Sequence, residues 1–432
     1  MEWWHIGILM FLSLFSLLIL GIPVAFGLIS IALIIIPFLW GPSGWITLAA
    51  NSFSSLTNYL LLAAPMFIFM GISIEVSGLA EDAFKAIENW LGRVRGSLAI
   101  CTVTTATVFG AATGFSGTGS AAFGPVVLPE MARRKYDPGL ALGAMGAGSA
   151  LGVLIPPSVP LLMYGFLSGE SIAKLFIAGV IPGIIGSLIF MTYISIRVRL
   201  NPNLAPLGQA TTWHEAIVNT WRILPLFILI ILVLGSLWGG MATPTEAASL
   251  GAFGAFLMVI FYGRLNWHTF KHIMIRTVEI NAMVFAIIIG AFAFTQILSY
   301  SGFVSNFSIL ITNLPVPPWF IIILMMFVNL FLGCFLDTMA IFFLTLPIYL
   351  PVVSTLGFDL IWFSILMTIN SEIGNLTPPV GIGLYIIKGV APKEWSFATA
   401  IRGVAPYWFL YLLLMILIGL VPQIALWLPN QL

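Results

Sequence analysis

The sequence predicts an all-α polytopic membrane protein with about ten transmembrane crossings, two re-entrant helical hairpins and inverted repeats. Of its 432 residues, 60% are hydrophobic and only 7% are charged, whereas about a quarter of a soluble domain is charged. Apolar stretches of about 20 residues, the length that crosses a bilayer as a helix, recur from end to end. Two Pro-Pro pairs, 156–157 and 378–379, interrupt such stretches 222 positions apart.

The crossings are placed where long apolar runs end at Gly, Pro or charged residues. They lie near 5–21, 23–40, 58–78, 138–168, 177–199, 222–240, 244–262, 279–302, 359–387 and 403–427. Short amphipathic stretches are expected to lie along the membrane interface, near 45–57, 80–92, 170–176, 264–277 and 393–400. The first 40 residues lack a basic start and a clear cleavage site, so we expect permanent helices there rather than a cleaved signal.

Residues 97–131 and 318–351 each hold two half-length apolar helices joined by a Gly-rich or polar kink. We interpret them as re-entrant hairpins, which are tolerated where protein or water covers their tips. The Pro pairs break the crossings at 138–168 and 359–387. Because Pro removes an amide donor and clashes with the preceding turn, carbonyls before each pair and amides after it are left free.

Positive charges indicate which ends of the helices face the cytoplasm, because cytoplasmic loops collect Lys and Arg. With the N-terminus outside, fifteen of the sixteen basic residues fall inside and only Lys174 falls outside. Both termini are then periplasmic. The first hairpin enters from the cytoplasm and the second from the opposite face, so the two repeats are inverted.

The broken helices and hairpin tips are the predicted site of chemistry, because freed carbonyls suit cations and a new helix N-terminus suits an anion. Asp337 is the lone carboxylate at the second tip, and a carboxylate in such a segment is costly and rarely idle. We interpret it as an ion ligand, with a capping role as the alternative. Glu372 is either a second buried acid or the partner of a polar neighbour. The predicted substrate contacts are Ser149, Ser158, Asn370, Ser371 and Asn375.

Other classes of function find little support in the sequence. The net charge of +1 argues against nucleic-acid binding. No Gly-x4-Gly-Lys-Ser/Thr loop is present for ATP, and His268 and His272 lack the glutamate of a metalloprotease motif. We therefore do not expect an enzyme. Cys101 and Cys334 are expected to be buried small hydrophobes, and Thr243-Pro244-Thr245-Glu246 reads as a capping box.

Four strings together resemble the large membrane subunit of a tripartite ATP-independent periplasmic (TRAP) transporter. They are 155–158 (IPPS), 243–248 (TPTEAA), 337–338 (DT) and 376–381 (LTPPVG). The resemblance implies a bacterial inner-membrane carrier that uses a sodium gradient to import organic anions such as dicarboxylates, sugar acids or sialic acids. It also implies a periplasmic binding protein that delivers the substrate and a separate small four-helix membrane subunit, since we expect this chain to be an unfused large subunit.

The family resemblance further implies an elevator architecture like that of sodium-coupled carriers of the ion-transporter superfamily. On that basis 1–78 is N-terminal scaffold, 79–196 and 303–400 are the two halves of a transport domain, 197–302 is scaffold and arms, and 401–432 is a C-terminal helix. The sodium ligands carried over from the family are Ser116, Gly117, Thr118, Asp337, Thr338 and Thr377, with carbonyls around Pro156 and Pro378.

Two other hypotheses remain open at this point. The chain could be a self-sufficient ion-coupled anion carrier of the same fold that needs no partner. From a different class, it could be a channel or a membrane-embedded enzyme, although the sequence offers no clustered nucleophile and base.

Overall fold

The computed structural model of the chain describes residues 2–92, 94–208 and 212–432, with all of their side chains except those of Thr118 and Trp213. Within these ranges the secondary structure is helical, and β pairing is limited to one isolated bridge between Arg95 and Leu207. The predicted all-α class is therefore confirmed. Arg93, one of the predicted cytoplasmic cations, lies outside the described residues.

The N-terminal region forms two apolar helices, one short helix and two helices that lead toward the first hairpin. They are α1 (Trp3–Ile19), α2 (Val24–Trp40), α3 (Ser43–Leu56), α4 (Ala63–Val76) and α5 (Leu79–Leu91). Gly21, with φ of +80°, and Pro23 separate the first two helices. Glycine adopts this left-handed conformation without steric cost, which permits the tight turn.

The first predicted hairpin and the first predicted broken helix are both present. Their helices are α6 (Ser97–Thr113), α7 (Ser116–Arg133), α8 (Pro138–Gly152) and α9 (Val159–Ser168), followed by the long α10 (Ile172–Leu200). Asp137 caps α8 by accepting from the amide of Leu140 at 2.8 Å. The break between α8 and α9 holds the first Pro pair, whose peptide bond is cis.

The middle of the chain consists of three long helices, α11 (Trp213–Trp238), α12 (Pro244–Phe261) and α13 (Trp267–Tyr300). Thr243 and Glu246 form the predicted capping box at the start of α12, each satisfying a backbone amide of the other. The 34 residues of α13 make it about 51 Å long at 1.5 Å per residue, so it extends beyond a hydrocarbon core of about 30 Å.

The second half repeats the order of the first. Its helices are α14 (Phe303–Thr312), α15 (Pro318–Gly333), α16 (Thr338–Thr355), α17 (Leu360–Asn375), α18 (Ile382–Val390), α19 (Phe397–Leu420) and α20 (Gln423–Leu426). The helices α15 and α16 are the predicted second hairpin. The gap between α17 and α18 holds the second Pro pair, which is also cis.

Three of the predicted interfacial stretches are parts of longer helices, so those predictions were wrong as separate elements. Residues 170–176 begin α10, where Leu175 and Phe176 are buried against the protein rather than laid on an interface. Residues 264–277 run into α13 without a break, because no Gly or Pro interrupts the helix there. Residues 393–400 contain the start of α19, which Ser396 caps.

Seven helices among the described residues are long and apolar enough to cross a membrane by length and composition. The apolar helices α1 and α2, of 17 residues each, and α15, of 16, fall just below that length. The hairpin arms α6, α7, α15 and α16 have 16 to 18 residues, which gives each about 24–27 Å. The prediction of half-length arms was therefore wrong, and α16 is itself one of the seven helices long enough to span a membrane.

The two repeats share a close glycine contact between hairpin and broken helix, at positions 222 residues apart in the broken helices and 223 apart in the hairpins. In the first half, a Cβ placed on Gly152 would lie 2.6 Å from the Cα of Gly110. In the second half, a Cβ on Gly374 would lie 2.6 Å from the Cα of Gly333. Each pair brings the first arm of a hairpin against the helix that precedes a Pro pair. Since real Cβ atoms do not approach so closely, only glycine fits these four positions.

A second set of equivalent contacts lies beside these glycines. Thr107 of α6 donates to the carbonyl of Gly148 at 3.1 Å. Asn329, at the equivalent position of α15, donates to the Oδ1 of Asn370 at 2.8 Å and to the Oγ of Ser371 at 3.1 Å. Both halves therefore fasten the hairpin to the broken helix with a buried hydrogen bond at the same place.

Each hairpin is reached through a Ser-Gly corner, formed by Ser77-Gly78 after α4 and by Ser301-Gly302 after α13. Both glycines are left-handed, with φ of +83° and +76°. Both serine hydroxyls donate to the carbonyl three residues earlier, at 2.6 Å in the first corner and 2.9 Å in the second. The short helices α5 and α14 begin directly after these corners.

Helix α5 is joined to its neighbours on both sides. Trp90 donates to the hydroxyl of Thr220 on α11 at 2.8 Å, and Glu88 pairs with Arg134 at the end of α7 at 2.6 Å. Arg134 also contacts Glu130. Burial alone would lower the pKa of the Arg134 guanidinium, but its hydrogen bonds to the two carboxylates raise the pKa above its usual value.

Helix α19, which includes the start of the predicted C-terminal helix, packs against the broken helices. Tyr411 donates to the carbonyl of Ala147 in α8 at 2.7 Å, and Trp408 donates to the carbonyl of Leu376 in the second break at 2.9 Å. Gly403 lies against the backbone of Gly139, where a Cβ would clash. The C-terminal helix is thus held on the same packed body as α8 and α17.

Candidate functional site

Each hairpin tip is bonded to the chain just after the Pro pair of its own repeat. The amide of Val159 donates to the carbonyl of Gly114 at 3.3 Å, and the amide of Gly381 donates to the carbonyl of Cys334 at 3.0 Å. Val159 and Gly381 are 222 positions apart. The predicted pairing of each tip with one broken helix is therefore present in both halves.

A buried carboxylate, Glu372, lies where the second tip meets the second broken helix. Its side chain is 2% exposed. Its Oε1 accepts a hydrogen bond from the hydroxyl of Thr338 at 2.9 Å, while its Oε2 has no hydrogen-bond partner. A buried carboxylate oxygen without a donor is costly, which makes this oxygen a natural ligand for a cation.

The first tip reaches the same place from the other side. Ser116, the first residue of α7, accepts a hydrogen bond from the side-chain amide of Asn375 at 3.4 Å. Asn375 in turn accepts from the amide of Gly383 at 3.0 Å, so its carbonyl oxygen is oriented by the chain beyond the second Pro pair. Ser116, Thr338, Glu372 and Asn375 thus bring both tips and the second break together.

Two cavities open beside these four residues. The larger, of about 310 Å³, is lined by Phe115, Ser116, Gly117, Ala121, Val153, Pro160, Arg276, Ile280, Met283, Asp337, Thr338, Met339, Glu372, Asn375, Ile382 and Ile386. The smaller, of about 10 Å³, lies between Ser116, Gly117, Ser120, Glu372, Asn375 and neighbouring apolar residues. A volume of that order is what one water-sized particle needs.

Asp337 combines the two roles that the sequence left open. It is the N-cap of α16 and accepts from the amide of Ala340 at 3.2 Å. Its side chain also lines the larger cavity. One oxygen of the carboxylate is therefore used in the cap, and the group as a whole still places a negative charge beside Thr338 and Glu372.

Several predicted ligands use their side chains in local structure instead. The hydroxyl of Thr377 donates to the carbonyl of Ile373 at 2.6 Å, and the hydroxyl of Ser158 caps α9 by accepting from Leu161 at 3.3 Å. Asn370 and Ser371 accept the hydrogen bonds from Asn329 described above. Local bonds of this kind are common for such residues in broken helices.

The four remaining predicted positions are not part of the convergent set. Ser149 is buried at the first break, and its hydroxyl has no hydrogen-bond partner. Pro156 and Pro378 lie in the breaks themselves and do not line the larger cavity. The side chain of Thr118 lies outside the described residues. The convergent set is therefore Ser116, Gly117, Asp337, Thr338 and Asn375 from the prediction, together with Glu372.

Glu372 is the residue that the sequence prediction left out of the ligand set. The signal was present, because Glu372 is a lone acid in an apolar segment and the argument applied to Asp337 applies equally to it. Arg276, which also lines the cavity, was missed for a different reason. It lies near the start of α13, 25 residues before the Ser301-Gly302 corner, and only the packing of α13 against the hairpins brings it near.

The oxygen atoms at this site suit a hard cation. The set comprises two carboxylates, two hydroxyls, one amide carbonyl and nearby backbone, which is the chemistry that hard cations accept. Among the residues that the structure describes, no group of three or more His, Cys, Asp or Glu is placed to hold a metal ion. A site for a transition metal is therefore not built by these side chains.

The sequence matches a known family along nearly its whole length. The model of the family described as "Tripartite ATP-independent periplasmic transporter, DctM component" matches residues 11–424. The chain is 31% identical to the C4-dicarboxylate TRAP transporter large permease protein DctM of Pseudomonas aeruginosa, over 91% of this chain and 92% of that protein. It is 30% identical to the sialic acid TRAP transporter large permease protein SiaM of Vibrio cholerae, over 96% of each.

A third relative, the isethionate TRAP transporter permease protein DctMQ of Oleidesulfovibrio alaskensis, is 30% identical over 87% of this chain and 59% of that protein. Among solved structures, MtrF of Neisseria gonorrhoeae has a TM-score of 0.61 at 13% identity, covering 90% of this chain and 85% of that one. The YdaH transporter of Alcanivorax borkumensis has a TM-score of 0.53 at 14% identity, covering 92% and 96%. These two likenesses concern the fold alone.

Proposed function

The chain belongs to the family of DctM components of tripartite ATP-independent periplasmic transporters and is a multi-pass membrane protein, and we propose that it imports a small organic anion by sodium coupling. The observation that carries this proposal is the convergence of Ser116, Asp337, Thr338, Glu372 and Asn375 at one cavity. Both hairpin tips and one helix break contribute to that convergence, so a bound cation would tie together the elements that a carrier must hold in place.

The proposed cation site is built around the free Oε2 of Glu372. A sodium ion there would be coordinated by that oxygen. The other oxygen ligands would come from Ser116, Thr338, the side-chain carbonyl of Asn375 and Asp337. Neutralising a buried carboxylate removes the cost of leaving it unpaired. Sodium binding would therefore stabilise the closed arrangement of the tips, and this arrangement would in turn complete the cavity for the anion.

The proposed motion is that of an elevator, in which the two hairpins and broken helices, together with α19 that packs on them, move against the remaining helices. The close contacts at Gly110 with Gly152 and at Gly333 with Gly374 support a unit that moves without internal sliding. Rigid-body movement of one bundle against another is how inverted-repeat carriers achieve alternating access, and in the proposed motion the site would travel with the hairpins that build it. The inner membrane, with both termini periplasmic, is the proposed location.

The proposed partners are a periplasmic substrate-binding protein and a small membrane subunit, as the word "tripartite" in the family description indicates. The proposed substrates are carboxylates or sulfonates of the kinds named for the relatives, namely C4-dicarboxylates, sialic acid and isethionate. Substrate choice among these would rest on the binding protein together with the larger cavity.

The test is uptake into liposomes that contain the chain and its small membrane partner, with the binding protein supplied outside. We expect radiolabelled anion to accumulate when sodium is imposed outside, and accumulation to disappear when the sodium gradient is collapsed. Sodium-driven uptake by this chain alone would instead support the self-sufficient carrier. Uptake that is indifferent to the sodium gradient would refute coupling and favour a channel.

A further inference from the structure

One wall of the larger cavity belongs to a helix outside the hairpins and broken helices. Arg276, Ile280 and Met283 of α13 line it, at the i, i+4 and i+7 positions of a single helical stripe. One face of α13 is therefore turned toward the cavity along two turns. Two of its three residues are apolar, and the third is a cation.

Arg276 is the one basic side chain among the described residues that line this cavity. The lining also contains Asp337 and Glu372, whose negative charges would repel an anionic substrate. A carboxylate or sulfonate in this cavity needs a positive partner, and a sodium ion held at Glu372 would be one. Arg276, on a different helix, offers a second.

The present partner of Arg276 is weakly held. Its Nη1 contacts the Oε2 of Glu279 at 3.0 Å, and the two side chains are 52% and 54% exposed. Exposed pairs one helical turn apart contribute little stability, and Glu279 does not line the cavity. Glu75 of α4 also lies within electrostatic reach of Arg276. An incoming carboxylate could therefore replace Glu279 at the guanidinium with little loss.

We propose that Arg276 binds the acidic group of the substrate, with Glu279 holding the guanidinium in place when the cavity is empty. The planar guanidinium donates two parallel hydrogen bonds to a carboxylate or sulfonate, a geometry that lysine cannot reproduce. Substrate recognition is then shared between the moving tips and α13. This inference rests on the proposed function, because it takes an organic anion as the substrate.

The experiment measures sodium-driven uptake of succinate, sialic acid and isethionate by the reconstituted complex with its binding protein. The variants are Arg276→Gln, Arg276→Lys and Glu279→Gln. The matched control is Lys271→Gln, which removes a positive charge from an exposed position of the same helix outside the cavity lining. Assembly of each variant is checked by size-exclusion chromatography before reconstitution.

We expect Arg276→Gln to raise the half-saturating anion concentration about five- to tenfold, the effect of losing one partly screened charged contact. The half-saturating sodium concentration, measured at saturating anion, should stay unchanged, which separates anion binding from a general structural defect. Arg276→Lys should lose less than Arg276→Gln, and the Lys271→Gln control should match the wild type. Glu279→Gln should bind the anion as well as the wild type or more tightly.

Unchanged anion affinity in Arg276→Gln would overturn the inference while leaving the proposed function intact. Equal losses in sodium and anion affinity, or a loss in Glu279→Gln as large as that in Arg276→Gln, would also overturn it by assigning the pair a structural role. A wild-type complex that transports none of the three anions would refute the proposed function, and this inference with it.

Discussion

Replacing Asp337 with asparagine separates its two roles, because asparagine caps a helix as well as aspartate does. The side chain keeps its size and its hydrogen bond from the amide of Ala340. Only the negative charge beside the proposed cation site is lost. Asp337→Asn therefore tests the charge, whereas Asp337→Ala would remove the charge and the cap together.

The size of the effect follows from the distance and the surroundings of the charge. Two unit charges 4 Å apart interact by about 1 kcal/mol in water and about 4 kcal/mol near a protein surface. Asp337 is partly buried and lines an open cavity, so we take an intermediate loss of about 1.4–2.8 kcal/mol. This loss corresponds to a 10- to 100-fold higher half-saturating sodium concentration for uptake.

The assay is initial uptake by the reconstituted complex over a range of sodium concentrations. The control is Asp359→Asn, which changes the same residue type in the same capping role at the start of α17, where Asp359 accepts from Trp362 at 2.9 Å. The 16 residues of α17 place this cap about 24 Å from the cavity end of the helix.

The Asp359→Asn variant should require the same sodium concentration as the wild type. The reasoning would be refuted if Asp337→Asn kept the wild-type sodium dependence in a fully assembled complex. The reasoning would also be refuted if Asp337→Asn and Asp359→Asn raised the half-saturating sodium concentration by a similar factor, because the effect would then belong to helix capping rather than to the charge. Asp337→Ala should additionally lose about 1 kcal/mol of stability, the usual value of an N-cap.

Three further predictions concern packing, the ion pairs and sidedness. Gly374→Ala should lower the thermal unfolding midpoint, because the new Cβ would lie 2.6 Å from the facing backbone and cost about 1–3 kcal/mol of folding stability. The control Gly235→Ala should not lower the midpoint, because a Cβ at Gly235 has nothing within 4 Å. Arg134→Ala should destabilise the fold by about 2 kcal/mol, because the Arg134 side chain is only 19% exposed in its ion pairs. Arg133→Ala should be nearly neutral, because the Arg133 side chain is 75% exposed. Equal unfolding midpoints for the two variants would contradict the role of the buried pair. In intact spheroplasts, a membrane-impermeant maleimide should label Gln431→Cys but not Arg133→Cys, because Gln431 is exposed at the predicted periplasmic end. Both native cysteines are buried and should not react. Labelling of Arg133→Cys but not of Gln431→Cys would overturn the predicted orientation.

The repeated elements could be predicted from the sequence because their signals are local. A Pro pair stops a helix wherever it occurs, and a fixed offset between two such pairs identifies the second element from the first. The hairpins, the broken helices and the capping box at Thr243 all follow from signals of this kind. The exact starts of α10 and α13 cannot be predicted in this way. An amphipathic turn that continues into an apolar helix has the same residue pattern as a turn that lies on the membrane surface.

The site was predicted only in part because it depends on contacts between distant segments. Ser116 and Thr338 were carried over from the family resemblance, and Asn375 was predicted from its place at the second helix break, which the sequence marks with Pro. The local hydrogen bonds of Thr377 and Ser158, by contrast, arise from the geometry of the broken turns. Arg276 comes from a helix outside the two repeats, and no periodicity in the sequence connects α13 with the hairpins.

The two Ser-Gly corners have a consequence for the kinematics of the molecule. Each corner turns the chain from the preceding helix, α4 or α13, into a short helix through the left-handed torsions of one glycine, Gly78 or Gly302. A side chain at either position would be strained in this left-handed conformation. If the hairpins and broken helices move as the proposed elevator, the short helices α5 and α14 would act as lever arms about these two glycines. Alanine at one of them should then slow the proposed exchange between inward and outward states.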